Sequence, residues 1–268
     1  MALRKHIKSF SLFSLPILLI LVLWELLSRL RILNPTLFSS PSQILSTLFE
    51  LTLATGKTFT SHSLLIDIGV SLYRLSFSFL IALLIGLPLA ILMGRSSLIY
   101  NLVDPIITLL VPIPGIAWAP IFIIWLGFGD PTIITVGAFA SFFPIVQNVT
   151  MGIRSIDKRY LWCAEIMGAR KRDFWLKILI PWSFPFLLTG VKLAIARGWR
   201  TIIAVEMIAA SLSGLGFLIF DARDYLQPSV IYGGIIVLSF VYIALESLIR
   251  LVEKRTIEKW GIVLKGGL

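Results

Sequence analysis

Apolar residues run together in six long segments, at about Leu12 to Leu30, Asp67 to Met93, Leu98 to Leu126, Thr132 to Met151, Trp182 to Ala209 and Val230 to Leu251, with polar residues gathered between them. A helix needs about 20 predominantly apolar residues to cross a hydrocarbon core. The pattern therefore predicts six membrane-spanning helices joined by modest loops. The first segment follows Arg4, Lys5 and Lys8 much as the apolar stretch of a signal peptide follows its basic end. It is too long for one, lacks a small-x-small cleavage site and carries Trp24 and Glu25, so it reads as an uncleaved first span.

The loop from Gly152 to Pro181 has a pattern of its own. Leu161, Ala164, Ile166, Met167, Phe174, Trp175, Ile178 and Leu179 recur at spacings of three and four, which is helical amphipathic periodicity rather than that of a polar tether. One or two short helices follow, with apolar faces to bury against a partner or in the lipid interface. On pattern alone both readings are open.

Two spans are irregular. The third holds Pro112-Ile113-Pro114-Gly115 and Pro120 close to its middle. Proline removes a backbone donor and clashes with the preceding turn, so the span is expected to break there. Such a break lines a substrate path or makes a kink buried between helices. The fifth holds Lys192, Arg197, Arg200 and Glu206 in an otherwise apolar stretch. Charged groups inside a span normally face water or the bundle interior. At 100° per residue Lys192, Trp199 and Glu206 share one face, and Arg197 and Arg200 lie on another. Glu206 and Arg200 cannot pair along this helix, so each needs a partner from another span or from a solute. Lys192 and Arg197 have the further option of snorkelling to the membrane surface.

Composition fixes the class. Hydrophobic residues make up 57% of the 268, charged residues 14%, and the mean hydropathy is +0.94. Soluble domains are roughly 45–50% apolar and 25% charged. A soluble globular enzyme is excluded, and so is a disordered chain. The net charge of +10 is a matter of location. One alternating set of loops holds Arg4, Lys5, Lys8, Arg95, the seven basic residues of 152–181, Arg250, Lys254, Arg255, Lys259 and Lys265; the other holds only Arg29, Arg31, Lys57 and Arg223. By the positive-inside rule the first set is cytoplasmic, with both termini inside. The basicity reports topology, and no nucleic-acid partner is expected.

Candidate chemistry is sparse. Cys163 is the single cysteine and His6 and His62 stand far apart, so neither a disulfide nor a metal site is expected. Gly56-Lys57-Thr58 ends like a phosphate-binding loop, but the required first glycine is Leu51. Leu212-Ser213-Gly214 resembles a nucleotide-binding signature but falls in an external loop, and the sequon Asn148-Val149-Thr150 lies inside a span. No catalytic residue and no cofactor is assigned.

Trp162-Cys163-Ala164, then Gly168, then Ile178-Leu179-Ile180-Pro181 resembles the loop motif of ABC importer permeases: Glu-Ala-Ala, three residues, Gly, nine residues, Ile-x-Leu-Pro. Trp162 and Cys163 replace the usual Glu-Ala, and Ile180 replaces Leu. Other segments resemble the branch serving sulfonates, taurine and nitrate: Ser40-Pro41-Ser42, Ser71-Leu72-Tyr73-Arg74, Asp104-Pro105, Ala117-Trp118-Ala119-Pro120, Trp125-Leu126-Gly127-Phe128-Gly129, Phe142-Phe143-Pro144-Ile145, Glu206-Met207 and Gly214-Leu215-Gly216. The likeness covers about Trp24 to Trp260.

The resemblance implies an all-α polytopic membrane protein with six transmembrane helices and the type I ABC importer permease fold. Residues 1–60 would hold the first span and an external linker, 61–252 the permease core and 253–268 a cytoplasmic tail. It implies a multi-pass protein of a prokaryotic plasma membrane, partnered by two ATPase subunits that bind the ATP, a solute-binding protein and a second permease in a homodimer. The ATPase-coupling residues would be Leu161, Trp162, Cys163, Ala164, Gly168, Ala169, Phe174, Ile178 and Pro181, with Gly168 at the turn. The translocation path would involve Pro112, Pro114, Trp118, Trp199, Arg200 and Glu206. The solute would be a small anion, with Arg74 and Arg200 as its charge partners. The competing expectations are an ion-coupled carrier or channel working alone, and a membrane scaffold protein.

Overall fold

The computed structural model describes residues 2–34, 36–53, 63–210 and 212–257. Among these the chain is almost entirely helical: α1 (Ala2–Arg29), α2 (Pro41–Leu53), α3 (Leu64–Arg95), α4 (Ser97–Leu110), α5 (Ala119–Leu126), α6 (Asp130–Arg154), α7 (Lys158–Ile166), α8 (Lys171–Asp173), α9 (Ile180–Ala209), α10 (Leu215–Asp224) and α11 (Pro228–Ile257). All six apolar segments are helical. Among the described residues four helices are long and apolar enough to cross a membrane: Leu64–Arg95, Asp130–Arg154, Lys177–Ala209 and Pro228–Thr256. A fifth crossing is added if α4 and the pair formed by the Gly115–Trp118 turn and α5 count as one broken span, bent by 95°. This is the break expected at Pro112 and Pro114. The sequence pattern did not predict α2 and α10, two short helices in the connections.

The centre is a three-helix layer of α3, α6 and α9, with α10 and α11 against α9. α6 is the most enclosed span, and glycine makes this closeness possible. A Cβ on Gly137 would stand 2.6 Å from Ser78 Oγ and 2.7 Å from Ile202 Cγ1, and one on Gly198 would collide with Ser141 Oγ. Hydroxyls seal the contacts: Ser78 donates to the Ile134 carbonyl at 2.9 Å and Ser141 to the Ala194 carbonyl at 3.2 Å. Small residues and interhelical hydrogen bonds are what hold helices together where lipid removes the hydrophobic drive. Gly137→Val is expected to lower stability by about 1–3 kcal/mol through overpacking, read as a lower midpoint of thermal unfolding in detergent; an unchanged midpoint would contradict this packing.

Two apolar clusters divide the interior. One joins Leu75, Ile133, Trp199, Ile202 and Leu215, and the other joins Met93, Ile107, Val146, Val149 and Ile153. The first lies toward α10 and the second toward the 152–181 loop. Functional groups are placed at the ends of these clusters.

Candidate functional site

Between the two clusters α4 ends at Leu110 and the chain turns through Pro112 and Pro114 into a single 3₁₀ turn. A cavity of about 290 Å³ lies against this break, lined by Val111 to Gly115, Phe139, Ala140 and Phe143, with Arg197, Arg200 and Thr201 from α9. Arg197 and Arg200 are exposed, and among the described residues neither has an ion-pair partner. Arg200 Nε donates to the Ala196 carbonyl at 3.1 Å, which steadies the guanidinium and leaves its other N–H groups free. Trp118 stands edge-on to Phe139, ring centroids 4.9 Å apart, and its buried indole N–H has no acceptor among the described residues. An apolar pocket with two unneutralised guanidinium groups suits an anion.

Of the residues expected along a path, Pro112, Pro114 and Arg200 line this cavity and Trp118 stands beside it through Phe139. Trp199 and Glu206 do not. They share the opposite face of α9, packed inside the fold at 3% and 0% exposure. The same helical phase that joins them keeps them away from the break.

Glu206 belongs to a buried charge node. Arg74 of α3, 3% exposed, donates from Nη1 to Glu206 Oε1 and to the Ser213 carbonyl, each at 2.8 Å. It also reaches Asp130 Oδ1, from Nε at 2.8 Å and Nη2 at 2.7 Å. Ser71, one turn away on α3, donates to the Glu206 carboxylate at 2.9 Å. The first N–H groups of α10 receive matching acceptors: Gly214 N donates to Asp67 Oδ1 at 2.8 Å, Leu215 N to Ser71 Oγ at 3.0 Å and Gly216 N to Glu206 Oε2 at 2.9 Å. A helix N-terminus with its orphan donors and positive end takes carboxylates well. Gly214 lets this happen: its φ of +123° suits glycine, and a Cβ there would stand 2.6 Å from Arg74 Nη1. Arg74 was expected as a charge partner for a solute; the structure corrects this, because two carboxylates of the chain already occupy its guanidinium. The node fastens α10 and the start of α6 to α3 and α9.

At the opposite end, the 152–181 loop forms the helices its periodicity predicts. Asp157 caps α7 by accepting from Arg159 N at 2.9 Å, and the helix closes on Gly168, whose φ is +72°. Gly168 N donates to the Glu165 carbonyl and Ala169 N to the Ala164 carbonyl, both at 3.0 Å. Ala164 is buried, Phe174 and Ile178 are half-buried, and Pro181 lies in the first turn of α9. Trp162, Cys163 and Ala169 are exposed, and Ile166 and Met167 are 86% exposed. The side chain of Leu161 lies outside the described residues. A π-helical stretch, Phe174–Leu179, then carries the chain into α9, and Trp182 Nε1 donates to Ser155 Oγ at 3.1 Å across the base of the loop. The apolar stripe therefore divides: one part roots the loop, the other faces outward.

Comparison with known proteins places these features. The profile of the family described as "Binding-protein-dependent transport system inner membrane component" matches residues 82–258. The taurine transport system permease protein TauC of Escherichia coli (strain K12) is 31% identical over 236 residues, covering 88% of this chain and 85% of TauC. The putative aliphatic sulfonates transport permease protein SsuC of Bacillus subtilis (strain 168) is 30% identical, over 90% of this chain and 84% of its own. The nitrate import permease protein NrtB of Synechocystis is 31% identical, over 88% and 86%. Among solved structures, a chain of the inward-facing MetNI methionine ABC transporter superposes with a TM-score of 0.55 at 19% identity, covering 70% of this chain and 95% of that one. The fold is thus that of a type I importer permease in a multi-pass membrane protein, and the chain belongs to the family of binding-protein-dependent transport system inner membrane components, the permease subunits of ABC importers.

Proposed function

We propose that this chain is one half of the membrane path of an ATP-driven importer for a small anionic solute such as a sulfonate. Two copies form a homodimer around the path. Two ATPase subunits dock on the α7–Gly168–α8 turns and bind the ATP, and the chain itself holds no cofactor and catalyses no hydrolysis. A solute-binding protein delivers the solute to the opposite face, near Asp130 and α10. α1 supplies the sixth crossing, and both termini lie in the cytoplasm on the side richer in Lys and Arg.

The observation that carries the reading is the α7 surface. Trp162, Ile166 and Met167 stand outward from a charge-rich loop that is rooted in the same bundle as the broken span. An apolar surface rimmed by charge fits a protein cleft. ATP closure of the ATPase pair would move two such turns together and bias a two-state packing of the helices. Co-purification with an ATPase subunit tests the assignment directly, and a chain that sustains concentrative uptake alone would refute it.

Arg197 and Arg200 would supply the anion contact at the break. The double variant Arg197→Gln with Arg200→Gln is expected to reduce ATP-driven anion uptake at least about tenfold, the loss of one charge-assisted contact worth roughly 1.4 kcal/mol. ATPase association should stay intact. Uptake at the wild-type rate would place the anion contact elsewhere.

A further inference from the structure

A second cavity, about 530 Å³, opens between α4 and the last third of α6. Tyr100, Asp104 and Ile107 line it from α4, and Gln147, Thr150 and Arg154 from α6. Steps of three and four residues keep each set on one helix face. Arg154 and Ser155 bring the cavity to the start of the 152–181 loop.

Its polar groups divide into those already occupied and those free. Asn148 Nδ2 donates to the Pro144 carbonyl at 2.8 Å, Thr150 to the Ala90 carbonyl at 3.3 Å and Ser155 to the Gly152 carbonyl at 2.9 Å. Asp104 is different. It is the eighth residue of α4, about 10 Å along the helix at 1.5 Å per residue, and among the described residues it has no hydrogen-bond or ion-pair partner. A carboxylate so placed in a span is retained where a cavity receives it, and it marks a functional position. Arg154 lines the same cavity with its guanidinium 3.9 Å above the Tyr100 ring. Stacking fixes the plane of the guanidinium and leaves its N–H edge for a planar or tripodal anion. Among the described residues Arg154 has no carboxylate partner, and the Gln147 carboxamide is free as well.

A bare inorganic anion could use Arg154 but would also meet Asp104, and a simple cation would meet the reverse. A molecule with both charges satisfies the set. We infer that this cavity binds a small zwitterion, its ammonium group on Asp104 and its sulfonate or carboxylate group on Arg154 and Gln147. The inference rests on the importer reading and narrows the solute from an anion to an amino sulfonate or amino acid.

The test uses the complete permease–ATPase complex in lipid nanodiscs, without binding protein or nucleotide. Equilibrium binding of radiolabelled taurine and β-alanine is competed with ethanesulfonate, ethylamine and nitrate. At least one zwitterion is expected to bind at least tenfold more tightly than each of the three competitors. Asp104→Asn should lower zwitterion affinity at least tenfold and leave ethanesulfonate unchanged, Asp104→Glu should restore the preference, and Arg154→Gln should weaken both. Zwitterion binding unchanged in Asp104→Asn, or none in the wild type, overturns the inference. ATP-driven uptake measured on the same complex with the binding protein separates the two claims: uptake without zwitterion binding ends this inference alone, whereas no ATP-driven uptake of any solute ends the importer reading.

Discussion

Replacing Arg74 by alanine is expected to destabilise the protein by about 3–5 kcal/mol, the cost of breaking a buried ion pair by removing one partner. Glu206 is fully enclosed and Asp67 nearly so, and the guanidinium is the cation that the structure places against the Glu206 carboxylate. Without it a carboxylate stays buried beside α10 with only the helix end, Ser71 and backbone N–H groups to offset it. Asp130, half exposed, can turn to water, so Asp130→Ala should cost far less, within about 1 kcal/mol for a partly solvated pair. The pair Arg74→Met with Glu206→Leu should recover part of the loss, because replacing both partners removes the uncompensated charge. Thermal unfolding in detergent measures all three. If Arg74→Ala and Asp130→Ala unfolded together near the wild-type midpoint, the node would not be holding α10.

The second large effect is expected at Gly168. Its φ of +72° lies where a side chain is disfavoured, and a Cβ there would meet nothing within 4 Å. Conformation, not space, sets the requirement. A β-branched residue in this region costs of order 1–2 kcal/mol and is a genuine outlier, enough to re-aim the turn between α7 and α8. Gly168→Val should abolish association with the ATPase subunit while membrane insertion stays normal. Gly168→Asn should retain association, since asparagine visits the left-handed region readily. Deleting 161–174 should give the same loss as valine. Pull-down from membranes reads all three, and retained association in the valine variant and the deletion would dismiss the coupling role.

Periodicity and proline placement made much of this legible in advance. The six apolar segments are helical apart from the break at Pro112 and Pro114, and the 152–181 loop forms short helices, because each of these depends on neighbours within one helix or turn; the turn at Gly168 came from the family resemblance and not from the pattern. The helical phase of α9 also separated Arg200 from Trp199 and Glu206 correctly. It could not say which face meets the break, since that depends on α3 and α6. The Arg74–Glu206 pair spans 132 positions, and nothing local marks it. The available signal was an inventory of ionisable groups within spans, where Asp67, Arg74 and Glu206 must find partners together. α10 escaped prediction for a related reason. α10 receives the acceptors of its first donors from Asp67, Ser71 and Glu206 on other helices, so no capping residue in its own sequence announces it.

Uptake into proteoliposomes tests whether this chain forms the membrane path of an ATP-driven importer. The permease is reconstituted with its co-purifying ATPase subunit and solute-binding protein, and uptake of radiolabelled sulfonate, including taurine, is followed with and without ATP. Accumulation is expected to require ATP, the ATPase subunit and the binding protein together, and to fail when any one is withheld. Concentrative uptake by the permease alone, without ATP, would contradict it.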